Sequence, residues 1–302
     1  MDPLLSVVTI TYNHEPYIRK CIEGVLMQKV NFPVELIIAD DCSTDGTRAI
    51  CEDYARRFPD LIRLVLSEKN AGALQNERRA MGLARGRYVA LCEGDDYWTD
   101  EFKLQKQADF LESNPDYSIC FHNRMVEKSG EVLFENAFER FVASDGAGFD
   151  LTPEIFYHNW ITYPFSMVFR RESFSLDWYD EYEYFRDSHM ILLMLLQGKG
   201  YVFNFVGGVR TVHDDSMYHT MSPCQSARMD MLVYEELYRH NRNTSEGKNL
   251  RNAYAARIQA FINASKASGA GFFRCIGLAL SLFFVKPSMK SLVKNVISIC
   301  RK

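Results

Sequence analysis

Residues 88–97 read YVALCEGDDY and join an apolar segment directly to an acidic one. The apolar residues 88–92 predict a buried strand. Three carboxylates follow at the end of this strand, those of Glu93, Asp95 and Asp96. Carboxylates in such a position repel one another and lose hydration, so a cation or a satisfied hydrogen-bond network has to compensate. Hard oxygen ligands of this kind suit Mg²⁺ or Mn²⁺, typically held by one or two carboxylates plus phosphates. The alternative is a solvated acidic turn.

The overall composition is that of an ordinary globular protein, but the charge is unevenly distributed. The 302 residues are 47% hydrophobic and 25% charged, and this length allows one large domain or two smaller ones. Residues 247–302 contain ten Lys/Arg and no Asp/Glu, so this segment carries +10, and the net charge of −4 leaves −14 for residues 1–246. This distribution indicates a basic segment that meets something anionic.

The cysteines and the N-terminus predict a reduced, cytoplasmic protein. The eight cysteines include no CxxC pair, and the start Met1-Asp2-Pro3 lacks the basic residues of a signal peptide. The longest apolar run, 276–285, has ten residues and is too short to span a bilayer.

Residues 5–96 alternate strand and helix patterns four times. The predicted strands are 6–11, 34–39, 62–66 and 88–92. Such alternation predicts right-handed crossovers and a parallel sheet that is covered on both faces.

Polar and acidic residues follow the strands of this predicted sheet. Open parallel sheets bind ligands beyond the carboxyl ends of their strands, so these segments are expected at one rim. The segments are Thr11-Tyr12-Asn13, Asp40-Asp41, Ser67-Glu68 and Glu93-Gly94-Asp95-Asp96. No GxGxxG follows strand one, which argues against dinucleotide binding. A phosphate ligand would then need another counter-charge, which a carboxylate-bound metal supplies.

The second half of the chain is less regular. The patterns predict a hairpin of 116–126 and 132–135 around Ser129-Gly130, and a helix start at 150–154 with Pro153 in its first turn. A strand is predicted over 161–170 and an apolar helix over 188–196. Two further strands are predicted over 201–205 and 209–213.

Four of these segments, in this order, resemble the family 2 glycosyltransferases, which have the GT-A fold. They are SVVTITYNHEPYIRKCIEGVLMQ (6–28), LIIADDCSTDGT (36–47), ARGRYVALCEGDDYW (84–98) and RDSHMILLMLLQGKGY (186–201). The resemblance covers residues 4 to about 215 and implies an α/β fold. A Rossmann-like nucleotide-sugar half (1–115) would merge with an acceptor half (116–225), and a helical basic region (226–302) would follow.

The resemblance implies inverting transfer of a sugar from a nucleotide-diphosphate sugar, of UDP type, to a hydroxyl of a glycan or lipid-linked acceptor. The residues it places at the nucleotide sugar are Ile10, Thr11, Tyr12, Asn13, Asp40, Asp41, Asn76, Arg79 and Asp95. Tyr12 would stack on the base, Asp41 would accept an N–H from it, and residues 10–11 would approach through their backbone. The alternatives are a turn and helix cap for Asp40-Asp41 and an exposed helix face for Asn76 and Arg79.

The resemblance implies a bound Mg²⁺ or Mn²⁺. Its ligands would come from Glu93, Asp95 and Asp96, which resemble the D-x-D motif of the family with a glutamate at the first position. Asp95 and Asp96 are the preferred ligands. His213, in RTVHDD, resembles a late histidine near the diphosphate and joins this set. The alternative for His213 is a structural histidine.

Asp187 stands where the family has its general base. The alternative is an N-cap for the following helix. Arg186 precedes it where the family usually has an acid or a glycine, and an adjacent cation would keep the carboxylate ionised but less basic. Two rival functions remain open: a sugar nucleotidyltransferase, and a non-catalytic nucleotide-binding or membrane-scaffold protein.

The residues after 286 predict a basic amphipathic helix. Its apolar face consists of Met289, Leu292, Val293, Val296, Ile297 and Cys300, and Lys290 and Lys294 lie on the other side. Such a helix suits an anionic membrane surface, at the inner face of the cell membrane, where a lipid-linked acceptor would also lie. The alternative is a helix packed on the catalytic domain. We expect no nucleic-acid partner.

Overall fold

The computed structural model describes residues 2–134, 138, 141–142, 146–159, 161–213, 221–269, 272–286 and 295. The chain divides into two compact units, Met1–Val212 and His213–Lys302.

The first half of the first unit confirms the predicted strand–helix alternation. Its elements are β1 (Leu5–Thr11), α1 (Ile18–Leu26), β2 (Val34–Asp40), α2 (Thr47–Arg57), β3 (Ile62–Leu66), α3 (Ala73–Met81) and β4 (Tyr88–Leu91). The four strands are parallel in the order β3-β2-β1-β4. One face of α1 is apolar and buried, because Ile18, Cys21 and Ile22 pack into the hydrophobic core.

The second half of this unit extends the same sheet. Its elements are β5 (Tyr97–Trp98), α4 (Lys103–Ser113), β6 (Tyr117–Lys128), β7 (Glu131–Phe134), β8 (Gly148–Leu151), α5 (Pro153–His158), β9 (Val168–Arg170), α6 (Trp178–Glu181), α7 (Asp187–Leu195) and β10 (Lys199–Val212). Over the described residues the sheet has the order β3-β2-β1-β4-β9-β6-β10-β5, with β7 paired to β6 and β8 to β10. Strand β9 is antiparallel to both β4 and β6, so the sheet is mixed.

Two local predictions are confirmed. Ser129 and Gly130 have φ of 52° and 83°, the left-handed conformations that a two-residue hairpin turn requires, and they connect β6 to β7. Thr152 caps α5 by accepting a hydrogen bond from the Ile155 N–H at 3.2 Å, with Pro153 in the first turn.

The strand predicted over 161–170 is wrong for most of its length. Pro164–Ser166 forms a 3₁₀ turn, and only Val168–Arg170 pairs in the sheet. Proline has no N–H for a strand partner, and the Ser166 hydroxyl donates to the Tyr163 carbonyl at 2.7 Å, which stabilises the turn.

The two strands predicted over 201–205 and 209–213 are one strand, β10. Its pairing with β6 shifts register between Val202 and Gly208, so the interruption in the apolar pattern is a bulge and not a loop. A Cβ atom at Gly208 would lie 2.6 Å from the Tyr97 carbonyl oxygen, which explains why glycine is needed at this close strand approach.

The second unit is helical, as predicted for the C-terminal region. Its described helices are α8 (Pro223–Asn241), α9 (Gly247–Ala267) and α10 (Phe272–Val285). The predicted helix over 287–300 lies outside the described residues except for Asn295, whose side-chain amide exchanges hydrogen bonds of 2.9 and 3.1 Å with Gln259 on α9. Of the helices in the described ranges, none has the length and apolar character needed to cross a bilayer.

The first residue of α4, Lys103, is fully buried in the first unit. Its Nζ lies 3.7 Å from the centre of the Trp98 ring and has no hydrogen-bond partner within the described part of the chain. Burial lowers the pKa of Lys103 to about 7, whereas an unfolded lysine titrates near 10.5. Between these values the unfolded chain holds one more proton than the folded chain, so stability rises with pH across this interval.

We therefore expect Lys103→Met to be more stable than the unaltered chain at pH 7. The advantage should shrink by about 2 kcal/mol between pH 7 and pH 9. Only the chain with Lys103 takes up a proton when it unfolds, and a higher pH makes that uptake, and therefore unfolding, less favourable. Urea unfolding at both pH values measures this, with the exposed Lys106→Met as the matched control. Parallel pH profiles for Lys103→Met and the unaltered chain would contradict the expectation.

Candidate active site

Backbone hydrogen bonds bring the predicted rim segments together. The Gly94 N–H donates to the Ile10 carbonyl, the Asp41 N–H donates to the Thr11 carbonyl, and the Ser67 N–H donates to the Asp40 carbonyl, each at 3.0 Å. The residues that follow β1, β2, β3 and β4 are therefore neighbours at the carboxyl edge of the sheet, as the sequence predicts.

Gly94 allows the acidic loop to lie against the end of β1. A Cβ atom at this position would be 2.8 Å from the Thr11 hydroxyl oxygen and 2.9 Å from His14 Nδ1. The Thr11 hydroxyl is buried and has no hydrogen-bond partner among the residues that the structure describes. The acidic loop and the Tyr-Asn-His turn thus form one continuous surface.

The turn after β1 leaves Tyr12 exposed and fixes Asn13. The Tyr12 side chain is 41% exposed, so its ring is accessible for stacking. Asn13 has a left-handed φ of 54°, donates its N–H to the Ser43 hydroxyl at 2.9 Å and accepts the Thr44 N–H on its side-chain oxygen at 2.8 Å. Asn13 therefore connects the loops that follow β1 and β2.

Asp40 and Asp41 are both buried and bind different partners. Asp40 accepts a hydrogen bond from Arg48 Nε at 3.0 Å and longer ones from the Ser43 N–H. Asp41 accepts the N–H groups of Ala71, at 3.0 and 3.1 Å, and of Gly72, at 2.7 Å. Both carboxylates hold rim loops in place, and Asp41 connects the loop after β2 to the segment before α3.

Asn76 is buried and not on an exposed helix face. Its Nδ2 donates to the Ala39 carbonyl at 2.8 Å, and its Oδ1 accepts from Arg79 at 2.6 Å. Arg79 also donates to the Ser67 hydroxyl at 2.9 Å. This pair attaches α3 to the ends of β2 and β3.

Five carboxylates interact at this edge of the sheet. Burial raises the pKa of Glu93 well above its usual value, and the negative charges of Asp96, Asp95, Asp187 and Glu77 raise it further. Asp187, at the start of α7, is therefore one of the charges that act on Glu93, although 94 residues separate the two in the sequence.

Asp96 is 4% exposed and is held by β10. Its Oδ1 accepts the Thr211 N–H at 2.8 Å. Burial and the Asp95 charge raise the pKa of Asp96, whereas the Thr211 hydrogen bond and the Arg210 charge act in the opposite direction. Strand β10 therefore supplies both a positioning contact and a nearby cation to the acidic loop.

Asp187 begins α7 but does not cap it. The N-cap position is Arg186, no side chain caps the helix, and the Asp187 carboxylate accepts the N–H of the adjacent Ser188 at 3.2 Å. The capping role considered from the sequence is thus not seen.

The described residues contain no group of three or more His, Cys, Asp or Glu side chains arranged to hold a metal ion. The chemistry of the acidic loop nevertheless fits a divalent cation, because its carboxylate oxygens are hard ligands and a positive charge would relieve their mutual repulsion. His213 directly follows β10 and begins the second unit, so its role as a ligand stays a prediction.

Three residues at this site were not identified from the sequence. Glu77 accepts a hydrogen bond from the Tyr179 hydroxyl at 2.6 Å, and burial, with a contribution from Asp187, raises the pKa of Glu77 to about 7. Arg48 pairs with Asp40, and Arg210 lies near Asp96. The sequence QNERR around Glu77 resembles a solvated helix face, which conceals this partly buried acid.

The fold and the acidic rim define a glycosyltransferase of GT-A type. S. aureus TarS 1–349, solved with UDP-GlcNAc, superposes with a TM-score of 0.60 at 19% identity over 98% of this chain and 90% of that one. The mannosyltransferase PcManGT from Pyrobaculum calidifontis, solved with GDP-Man and Mn²⁺, superposes with a TM-score of 0.58 at 18% identity over 100% and 87%. At these identities the likeness concerns the fold.

The sequence model of "Glycosyl transferase family 2" matches residues 6–176, more than half of the chain, and the chain belongs to this family of transferases. The uncharacterized protein Rv1520 of Mycobacterium tuberculosis is 50% identical over 127 residues, 42% of this chain and 37% of the relative. The putative teichuronic acid biosynthesis glycosyltransferase TuaG of Bacillus subtilis is 43% identical over 109 residues, 36% of this chain and 42% of the relative. The matched segments thus span about two fifths of these relatives.

Proposed function

We propose that the chain transfers a sugar from a nucleotide-diphosphate sugar to a hydroxyl group, with inversion at the anomeric carbon. The observation that carries this proposal is that the charge of Asp187 acts on Glu93, together with the charges of Asp95 and Asp96, at the carboxyl edge of the sheet. Such a set supplies oxygen ligands for a divalent cation and a further carboxylate for proton removal. One direct displacement inverts the configuration, so that no covalent nucleophile is needed.

A UDP-type donor would bind at the ends of β1 and β2. The exposed ring of Tyr12 offers a stacking surface for the base, and Asp41 lies next to it in the loop after β2. We assign to this set Ile10, Thr11, Tyr12, Asn13, Asp40, Asp41, Asn76, Arg79 and Asp95. The contacts of Asp40, Asn76 and Arg79 indicate that they hold the loops that meet the donor. TarS and PcManGT were each solved with a nucleotide sugar.

Mg²⁺ or Mn²⁺ would be held by Asp95 and Asp96, with Glu93 and His213 as further candidate ligands. A bound cation would neutralise the charge that develops on the leaving diphosphate. The Thr211 N–H keeps Asp96 oriented, and the cation near it, Arg210, lowers the local negative charge. PcManGT was solved with Mn²⁺.

Asp187 would remove the proton from the acceptor hydroxyl as its oxygen attacks the anomeric carbon. Its position in the first turn of α7 keeps the carboxylate at the helix N-terminus, where a negative charge is favoured. The neighbouring Arg186 would help to keep this carboxylate ionised.

We further propose that residues 1–115 hold the donor, that residues 116–225 form the acceptor side, and that residues 226–302 form a separate helical region. The acceptor would be a glycan or a lipid-linked saccharide. The basic C-terminal region would associate with the inner face of the cell membrane, so that the protein is cytoplasmic and peripheral. TuaG is named for teichuronic acid biosynthesis.

A panel of UDP-, GDP- and TDP-sugars tests the donor assignment. With MnCl₂ present, one of them is expected to raise the melting temperature and to be hydrolysed slowly to the nucleoside diphosphate, since water can replace the acceptor. The matched control is the same sugar as its 1-phosphate without a nucleotide. Consumption of a nucleoside triphosphate together with a sugar 1-phosphate would instead identify a nucleotidyltransferase, and no binding across the panel would overturn the proposal.

A further inference from the structure

We infer that one side of α10, marked by Leu280 and Phe284, docks on the surface of an anionic lipid bilayer. The inference rests on the proposed membrane association of the C-terminal region and not on sugar transfer. It places the contact on α10, whereas the sequence pattern placed it in the helix predicted after residue 286.

Helix α10 has one buried side and one apolar side that is exposed. Ala279 and Leu282 are 1% and 7% exposed, and the helix packs on α9 within the second unit. Leu280 and Phe284, one helical turn apart, are 44% and 80% exposed. Phe284 is the most exposed of the large apolar side chains that the structure describes. The helix that carries it packs on α9.

The charge around this side favours an anionic partner. Residues 247–302 contain ten Lys/Arg and no Asp/Glu, and Arg274 and Lys286 flank the apolar segment of α10. Each basic residue near an anionic bilayer contributes about 1 kcal/mol of attraction, which an uncharged or cationic partner would not provide. A second copy of this region, which is equally basic, would repel it.

The size of the helix favours shallow insertion. Its 14 residues span about 21 Å at 1.5 Å per residue, less than the roughly 30 Å of a bilayer hydrocarbon core. Apolar side chains on one side of such a helix enter the headgroup boundary while the other side stays on α9.

Co-sedimentation of the full chain with vesicles tests the inference. The unaltered chain is expected to pellet with phosphatidylglycerol–phosphatidylcholine vesicles and much less with phosphatidylcholine alone. The double variant Leu280→Ser, Phe284→Ser should bind the anionic vesicles about tenfold or more weakly, because the two apolar side chains that would enter the lipid are lost. The matched control is Leu133→Ser, Phe134→Ser, which changes residues that are 57% and 53% exposed on β7 and should bind normally.

Phe284→Trp gives a second measurement that does not depend on how the serine variant folds. Its emission is expected to shift to the blue and to be quenched by brominated lipid, beyond the response of the three native tryptophans. Three results would overturn the inference. The Leu280/Phe284 variant could pellet as well as the unaltered chain, the full chain could fail to bind vesicles, or only the β7 variant could lose binding. Because vesicle binding is measured without donor or acceptor, its failure is distinguishable from a failure of the proposed transfer.

Discussion

Asp187→Asn is expected to fold and bind the nucleotide normally while transferring sugar about 10²–10⁴ times more slowly, the usual loss when a general base is removed. Asparagine has the same shape but cannot take the acceptor proton. Asp187 does not cap α7, and the hydrogen bond that its carboxylate accepts from the Ser188 N–H can also be accepted by an amide oxygen, so asparagine keeps this contact. Turnover with saturating donor, nucleotide affinity and melting temperature measure the three effects separately.

Glu181→Gln is the matched control for Asp187→Asn. Glu181 is an exposed acid at the end of α6, and its neutralisation should leave turnover unchanged. If Asp187→Asn melts at a lower temperature but its folded fraction keeps full specific activity, then Asp187 has only a structural role and the proposed base is wrong.

Removal of divalent metal is the second large expected effect. Excess EDTA should abolish transfer, and Mn²⁺ or Mg²⁺ should restore it, because no other charge is proposed to neutralise the leaving diphosphate.

Asp96→Ala should weaken donor binding and turnover together. Asp96→Asn separates chemistry from folding, since its amide oxygen can still accept the Thr211 N–H, and it should lose the response to metal while keeping its melting temperature.

The matched control for Asp96 is Asp60→Asn, which neutralises an exposed acid in the loop before β3. It should keep the same metal dependence as the unaltered chain. Full turnover in excess EDTA, or an Asp96→Asn chain that is restored by metal at the usual concentration, would contradict the proposed metal site.

The rim of the sheet was predictable because its signals are local. Each of the four parallel strands is a short apolar run followed within one or two residues by polar or acidic groups, and parallel strands bring their carboxyl ends to one edge. The parallel arrangement of these strands and the position of Glu93, Asp95 and Asp96 at this edge follow from that pattern, whereas the order β3-β2-β1-β4 came from the structure. The roles of individual rim residues stay predictions.

Errors occurred where local patterns are ambiguous. The apolar stretch 161–170 has the composition of a strand, but the turn at Pro164–Ser166 leaves only three residues to pair. The gap between the strands predicted over 201–205 and 209–213 belongs to a single strand, β10, in which the register shifts as a bulge. In β10 the pairing partner determined the outcome, and a partner far away in sequence leaves no local periodicity. At 161–170 the outcome was determined by Pro164 and the turn that the Ser166 hydroxyl stabilises.

The amino-acid pattern alone was sufficient for the strand–helix alternation of residues 5–96, the parallel half of the sheet and the acidic loop, since each depends on residues that are close in the chain. Tertiary structure was needed for the hydrogen bond between Glu77 and Tyr179, the burial of Lys103 over Trp98, and the attachment of Asp96 to β10. Glu77 and Tyr179 are 102 residues apart, and Asp96 and Thr211 are 115 apart. The environment of such a group depends on which distant elements the fold packs around it, and that environment determines its charge state and its chemistry.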